Sequence, residues 1–293
     1  MSLRPRHAVV PILLGVLLGW AYWPTVREMI ERWTSDPQYS HGYIVPLFSA
    51  SLLWLRRRDV GGAELVPSWW GIPVLGLGLL VWGAGTYFFV PWFEAVSLLA
   101  SLTGLVLVAG GRPMLRWSWQ AIAFLGFMVP LPYRLHTALG GALQSLATKL
   151  STYLLQTFGA PAIAEGNLIL VNDVKLGIVE ACSGLGMLVT FFALATALAM
   201  VLRSAEWWKR LLIVASAIPV AVAANVVRIT VTGLLYDLGQ NGLARAVFHD
   251  VAGLLMMPLA LAILFLELHV LRRLIMERSA KDVDKELLLH SVR

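Results

Sequence analysis

Residues 211–236 read LLIVASAIPVAVAANVVRITVTGLLY, and a single charge, Arg228, interrupts the run. A bilayer core takes about 20 apolar residues of helix, so this run is long enough to cross one. Arg228 stands 18 positions into it. At about 1.5 Å per residue that is about 27 Å of rise, nearly the full hydrocarbon thickness, which puts the guanidinium at the far boundary of the span. Taken alone, the position also fits an arginine that merely snorkels to the headgroups. Asn225, three residues earlier, shares the helix face, and that pairing favours a lined cavity over lipid.

Working outward, seven further apolar runs occupy 8–26, 42–55, 69–88, 91–110, 116–131, 183–202 and 250–271. The chain is 58% hydrophobic and 14% charged, where a soluble domain carries about 25% charged residues. Many of its 12 tryptophans stand at run ends, among them Trp20, Trp23, Trp69, Trp70, Trp207 and Trp208, at the headgroup level where an amphipathic ring is stable. The expected fold is an all-α polytopic membrane protein of about eight transmembrane helices. It comprises one integral-membrane body over residues 1–274 and a cytoplasmic tail over 275–293. The first run lacks a small-residue cleavage site and reads as a retained span.

Lys and Arg placement sets the orientation. With a cytoplasmic N-terminus, only Arg27, Arg32, Arg134, Lys149, Lys175, Arg228 and Arg245 of the 23 basic residues fall outside. Both termini are therefore expected in the cytoplasm of a cell whose inner membrane holds the chain. The net charge of +6 reports this topology, and no basic, aromatic-interleaved patch suggests nucleic acid.

The longest outside segment runs from Pro132 to Ala181. Leu135, Leu139, Ala142, Leu146, Leu150, Tyr153 and Leu154 form one helical stripe, which predicts an amphipathic helix on the outer membrane surface. Leu168–Val171 and Val174–Val179 alternate like strands around the turn signal Asn172-Asp173, which predicts a short β-hairpin leading into Glu180 and Cys182. An open sheet edge cannot sit in lipid, so the hairpin is expected to rest on the helices in the aqueous phase.

Cys182 is the only cysteine, which excludes an intramolecular disulfide and a cysteine-rich metal site. A lone cysteine is ordinarily a small buried hydrophobe. Here the Lys and Arg count, which takes no account of Cys or His, places Cys182, Arg228 and His249 at one membrane boundary. A thiolate attacks a peptide carbonyl, a nearby cation or helix N-terminus lowers its pKa, a guanidinium stabilises an oxyanion, and an imidazole shuttles the proton. Glu180, Ser183, Asn225 and Asp250 flank these three as supporting residues, and Arg245 is a rival cation. The six histidines are scattered and no H-E-x-x-H pattern occurs, so neither a metal nor another cofactor is expected.

These motifs resemble the exosortase/archaeosortase family. Glu180-Ala-Cys-Ser-Gly-Leu is similar to the family's nucleophile motif, Asn225-Val-Val-Arg228-Ile to its arginine motif, and His249-Asp250 with Gly253 to its histidine motif. Tyr39-Ser-His-Gly42 with Pro46, Val129-Pro-Leu-Pro132 and Glu165-Gly-Asn-Leu-Ile resemble further family features, in order over residues 33–265. The resemblance implies a membrane cysteine protease–transpeptidase with Cys182, Arg228 and His249 as its catalytic residues. Its partners would be exported proteins whose C-terminal tail carries a short motif such as Pro-Glu-Pro, a transmembrane helix and a basic cluster. Such an enzyme cuts at the motif and transfers the new C-terminus to a cell-surface acceptor. Two departures from the family pattern are read from the sequence: no soluble C-terminal domain of the kind some relatives carry is expected, and residue 186 is Gly where a polar or basic residue is common. The residues leave other classes open. A transporter would need midplane polar groups, for which Ser97, Gln120 and Thr190 are the few candidates. A polysaccharide-export component needs no chemistry. A rhomboid-like protease using Ser183 would lack its Gly-x-Ser setting.

Overall fold

The computed structural model describes residues 5–60, 64–172, 174–177, 185–202 and 206–245, together with Ala262 and Leu266. Within these, helices α1 (Pro5–Ala21), α2 (Trp23–Ser35), α3 (Ile44–Leu55), α4 (Arg57–Val60), α5 (Gly71–Tyr87) and α6 (Pro91–Phe124) precede α7 (Tyr133–Thr157). A three-stranded sheet follows, with β1 (Ala162–Glu165), β2 (Leu168–Val171) and β3 (Val174–Gly177), and then α8 (Leu185–Val201), α9 (Trp207–Asp237) and α10 (Asn241–Arg245). Short 3₁₀ segments occupy Pro37–Tyr43 and Leu125–Met128. The chain forms two compact units: residues 1–142 with 185–215, and residues 143–184 with 216–293.

The distribution of side chains is that of a membrane protein. Along α8 and α9 the buried positions include Ala193, Ala195, Ala197, Ala217, Ala221 and Ala224, whereas Leu211, Leu212, Ile218, Val227 and Val231 are exposed. Small residues inside and large apolar ones outside suit helices whose solvent is lipid. By length and composition, Trp207–Asp237 and the stretch Pro91–Met128, whose backbone breaks at Gly111, are each long and apolar enough to cross a membrane, and the bent pair Val10–Ala21 and Trp23–Ser35 makes a third when counted as one. Gly71–Tyr87 and Leu185–Val201 are apolar but shorter. The expected run 250–271 lies, apart from Ala262 and Leu266, outside the described residues, as does the tail.

In the first unit the expected span 8–26 is broken. The helix bends by 53° between α1 and α2, because Pro24 in the first turn of α2 has no N–H to continue the ladder. Tyr22 at the break anchors it, its hydroxyl 2.8 Å from Ser97 Oγ and 2.9 Å from Ser101 Oγ on α6. α5 and α6 pack backbone to backbone. Gly71, Gly78 and Gly85 recur every seven residues and face Gly104, Ser101 and Glu94.

Helix α6 folds back on itself. Gly111 takes φ 66° and ψ −154°, a region open to glycine alone, and a Cβ there would strike the Val66 carbonyl oxygen. On either side of it, Leu99 and Thr103 share a cavity wall with Trp119 and Ala123, and Ala95 joins Phe124 and Met128 in one apolar cluster. A straight helix would hold residues 95 and 124 more than about 40 Å apart. The reading of 91–110 and 116–131 as separate segments thus agrees with the backbone course.

The stretch predicted as an amphipathic helix is helical in α7; in the second unit its Leu146, Leu150 and Tyr153 are exposed while Ala147, Thr148, Ser151 and Leu155 are buried. The predicted hairpin is a three-stranded antiparallel sheet in the order β1-β2-β3. β1 pairs with β2 from Ala162↔Val171 to Glu165↔Leu168, and β2 with β3 from Leu168↔Gly177 to Val171↔Val174. Asn172 turns the chain at φ 51°. Ala162, Ile169, Val171 and Leu176 point into one core with Ala147, Leu155, Val226 and Ile229, so α7, α9 and the sheet fix one another.

Candidate active site

Arg228 is held inside the second unit. Its Nη2 donates to Asn225 Oδ1 at 2.9 Å, both side chains being buried at 6% and 2% exposure. An arginine cannot shed its charge, so burial demands acceptors, and the amide of Asn225, one turn back on the same helix, supplies one. Asn225 also lines a cavity of about 10 Å³ with Leu143, Ala147, Ala221 and Val222, room for about one water. Ser151 Oγ on α7 donates to the Val226 carbonyl at 3.4 Å, bracing the same turn of α9 from the side. The arginine is thus a buried residue fixed by a partner rather than a snorkelling one.

The other residues singled out from the sequence, Glu180, Cys182, Ser183, His249 and Asp250, lie outside the described residues. Arg245 closes α10. Helix α8 begins at Leu185, three residues after Cys182 in the sequence.

A second polar assembly, in the first unit, was carried in the sequence only as the motif Tyr39-Ser-His-Gly42, with no role attached. Asp36 Oδ1 accepts from the Gln38 backbone N–H at 3.0 Å and caps the 3₁₀ turn. Gln38 then presses against the first turn of α8: a Cβ on Gly186 would come within 2.9 Å of Gln38 Cβ, so the glycine at this position makes room for Gln38. His136 Nε2 on α7 lies 3.3 Å from Gln38 Oε1, an oxygen that only accepts, so this nitrogen carries the proton. His41 Nε2 is 3.1 Å from the Phe127 carbonyl and its Nδ1 is 3.4 Å from Thr190 Oγ1 on α8. Burial pushes the His41 pKa below its ordinary 6.5, against the pull of the Phe127 and Gln38 carbonyls. Tyr39, ring-to-ring with both histidines at 6.5 and 6.3 Å, has its pKa raised first by burial and then by the charge of Asp36. Trp33 Nε1 donates to the Met128 carbonyl at 2.9 Å and completes the support. The spacing of Asp36 and Gln38 is a local signal of the cap that the sequence reading leaves unused; the partners Phe127, His136 and Gly186 are too distant along the chain for any local pattern to show them.

The family described as transmembrane exosortase (Exosortase_EpsH) matches residues 33–266. The chain belongs to the transmembrane exosortase family. The match takes in both assemblies just described, the Asn225–Arg228 pair and the Tyr39–Gly42 turn, and it covers most of the chain. No curated protein and no solved structure matches the chain. Membership in the exosortase family points to a membrane transpeptidase or protease role. Among the described residues no three His, Asp or Glu side chains gather to hold a metal ion.

Proposed function

We propose that this exosortase is a cysteine protease–transpeptidase that cleaves the C-terminal sorting tails of exported proteins at the outer boundary of the inner membrane. The observation that carries the reading is the buried Arg228, oriented by Asn225 on a helix long enough to cross the bilayer. A fixed, desolvated guanidinium is the kind of preorganised donor that stabilises an oxyanion.

In this mechanism the Cys182 thiolate attacks the scissile carbonyl carbon, and the oxygen takes up negative charge facing Arg228. The tetrahedral adduct collapses, the C–N bond breaks, and protonated His249 gives its proton to the departing amine. A thioester to Cys182 remains. An acceptor hydroxyl, amine or water then attacks it, His249 takes the acceptor's proton, and the thiolate leaves. Glu180, Ser183 and Asp250 support the nucleophile and the imidazole. Along the sequence Cys182 falls between β3 and α8. Eight spans with both termini cytoplasmic place the cysteine outside, and the reversal of α6 at Gly111 supports that count.

The test is processing of a secreted reporter bearing a Pro-Glu-Pro tail, in cells expressing each variant at matched levels. Cys182→Ala should leave the reporter uncut, and Cys182→Ser should be nearly as inactive, because a hydroxyl needs a dedicated base. Normal processing by Cys182→Ala would end the protease reading and favour a transporter or export component.

A further inference from the structure

Helix α2 carries two charge pairs at the same four-residue spacing, and they behave differently. Arg27 Nε and Glu31 Oε1 meet at 3.0 Å, both exposed. Glu28 and Arg32 form no ion pair among the described residues. They line a cavity of about 260 Å³ instead, with Thr25, Phe89, Trp92 and Tyr133.

One wall of this cavity holds a strained residue. α5 ends with Val90 N–H on the Gly85 carbonyl at 2.8 Å and Phe89 N–H on that of Thr86 at 3.4 Å, a pair of bonds that forces the residue between into the left-handed region. That residue is Phe89, at φ 55°. α7 and α9 end with the same pair of bonds, and there the left-handed residues are Gly159 at φ 89° and Gly239 at φ 72°. Phenylalanine is disfavoured at such a position, yet here it stands among the residues that line the cavity and is 89% exposed. Strain held where a side chain meets an open cavity is a mark of function.

We propose that this cavity binds the headgroup of a zwitterionic phospholipid bearing a primary amine, the phosphate on Arg32 and the ammonium on Glu28. Residues four apart on a helix stand about 6 Å apart at Cβ, a fit for a phosphate and an amine separated by two carbons. A carboxylate gains most from an ammonium that can donate hydrogen bonds, which favours ethanolamine over choline. Trp92 and Tyr133 supply amphipathic rings of the kind that sit at headgroup level, and Phe89 adds an apolar one beside them. The volume falls below the roughly 300–1,000 Å³ of pockets that enclose a drug-sized ligand, so it suits a headgroup better than an extended peptide. An acidic peptide would also meet Glu28 as a repulsive charge.

The full-length protein is purified in micelles doped with phosphatidylethanolamine, phosphatidylglycerol or phosphatidylcholine, and retained lipid is counted by native mass spectrometry. Phosphatidylethanolamine should be retained about three- to fivefold over the other two, the size expected of a partly exposed ion pair. Glu28→Gln should reduce it to the phosphatidylglycerol level, and Arg32→Ala should lower both. Arg27→Ala with Glu31→Ala should change neither. Phe89→Gly separates binding from folding: retention should fall while the thermal unfolding temperature holds or rises, since glycine relieves the strain. Equal retention of the three lipids, an equal loss in the Arg27/Glu31 variant, or displacement of phosphatidylethanolamine by a Pro-Glu-Pro peptide would overturn the assignment.

Discussion

Asn225 and Arg228 share one turn of α9 and a charge-assisted hydrogen bond, so the pair can be dissected by substitutions in either partner. Arg228→Lys keeps the charge and loses the planar fork. If the guanidinium serves the oxyanion, reporter processing should fall by about 10²–10³, with the protein still inserted and folded. Asn225→Asp is the sharper probe. It keeps the shape and an acceptor for Arg228 and adds a negative charge beside the guanidinium. Thermal stability should hold, whereas processing should drop, because the cation is neutralised toward any developing oxyanion. Asn225→Ala should instead lose both, removing a hydrogen bond to a charged group worth about 1.5–3 kcal/mol. A purely structural role for the pair predicts parallel losses in all three variants, scaled to unfolding temperature. This turn of α9 was legible in the sequence for a physical reason: one charge in a long apolar run has few stable positions, and a helix partner at i−3 narrows them further. His41 and His136 were not legible in that way. Each is a lone histidine in its own segment, and their significance lies in contacts to Phe127, Thr190 and Gln38 made across the fold.

At the scale of elements, α5 and α6 offer an internal control on glycine. Gly78 and Gly83 lie on the same helix, but a Cβ at Gly78 would press on the Ser101 backbone N at 2.9 Å, while at Gly83 nothing stands within 4 Å. Gly78→Ala should therefore destabilise by about 1–3 kcal/mol through overpacking. Gly83→Ala should be neutral or gain up to about 1 kcal/mol of helix propensity. Thermal unfolding in detergent reads both, and equal effects would mean that the close α5–α6 approach is wrong. The 3₁₀ turn gives a pH prediction. His41 binds its proton less readily folded than unfolded, so below its ordinary 6.5 the unfolded chain takes up a proton that the native one refuses. Its contribution to stability is present above that value and is lost as pH falls from it towards the lower native pKa. Unfolding temperature measured from pH 7.5 to 5 should decline more steeply in the wild type than in His41→Asn. The elements that escaped the sequence did so for local reasons. β1, Ala-Ile-Ala-Glu at 162–165, is too short and too small to show strand periodicity. The bend at Tyr22 follows from Pro24, which a hydropathy average passes over. The reversal at Gly111 could be read, because two glycines, an arginine and a proline interrupt two apolar runs there.

Across the whole molecule, the positive-inside count makes a statement that the fold can test within the first unit. Ends assigned to a common side should meet. Glu28 and Arg32 at the end of the first run, Phe89 between α5 and α6, and Tyr133 after the second limb of α6 are all counted outside, and they line one cavity. Arg56 and Met200, at the inner ends of two other runs, are joined by a hydrogen bond from Arg56 Nη2 to the Met200 carbonyl at 2.8 Å. Random assignment of ends would mix the two sets. The sidedness itself needs a chemical measurement, and the single cysteine makes it direct. In a Cys182→Ala background, Tyr133→Cys and Trp207→Cys place one thiol at each set of ends, at residues 82% and 76% exposed, so neither label is hidden in a core. A membrane-impermeant maleimide on intact spheroplasts should label the Tyr133→Cys protein, and label the Trp207→Cys protein only after permeabilisation. Wild-type Cys182 should follow Tyr133→Cys, more slowly if its pocket restricts the reagent. The reverse pattern would put Cys182 in the cytoplasm, on the wrong side for a tail that is cut after export. The chemistry assigned to Arg228 and His249 would then have to act on a cytoplasmic substrate or be abandoned.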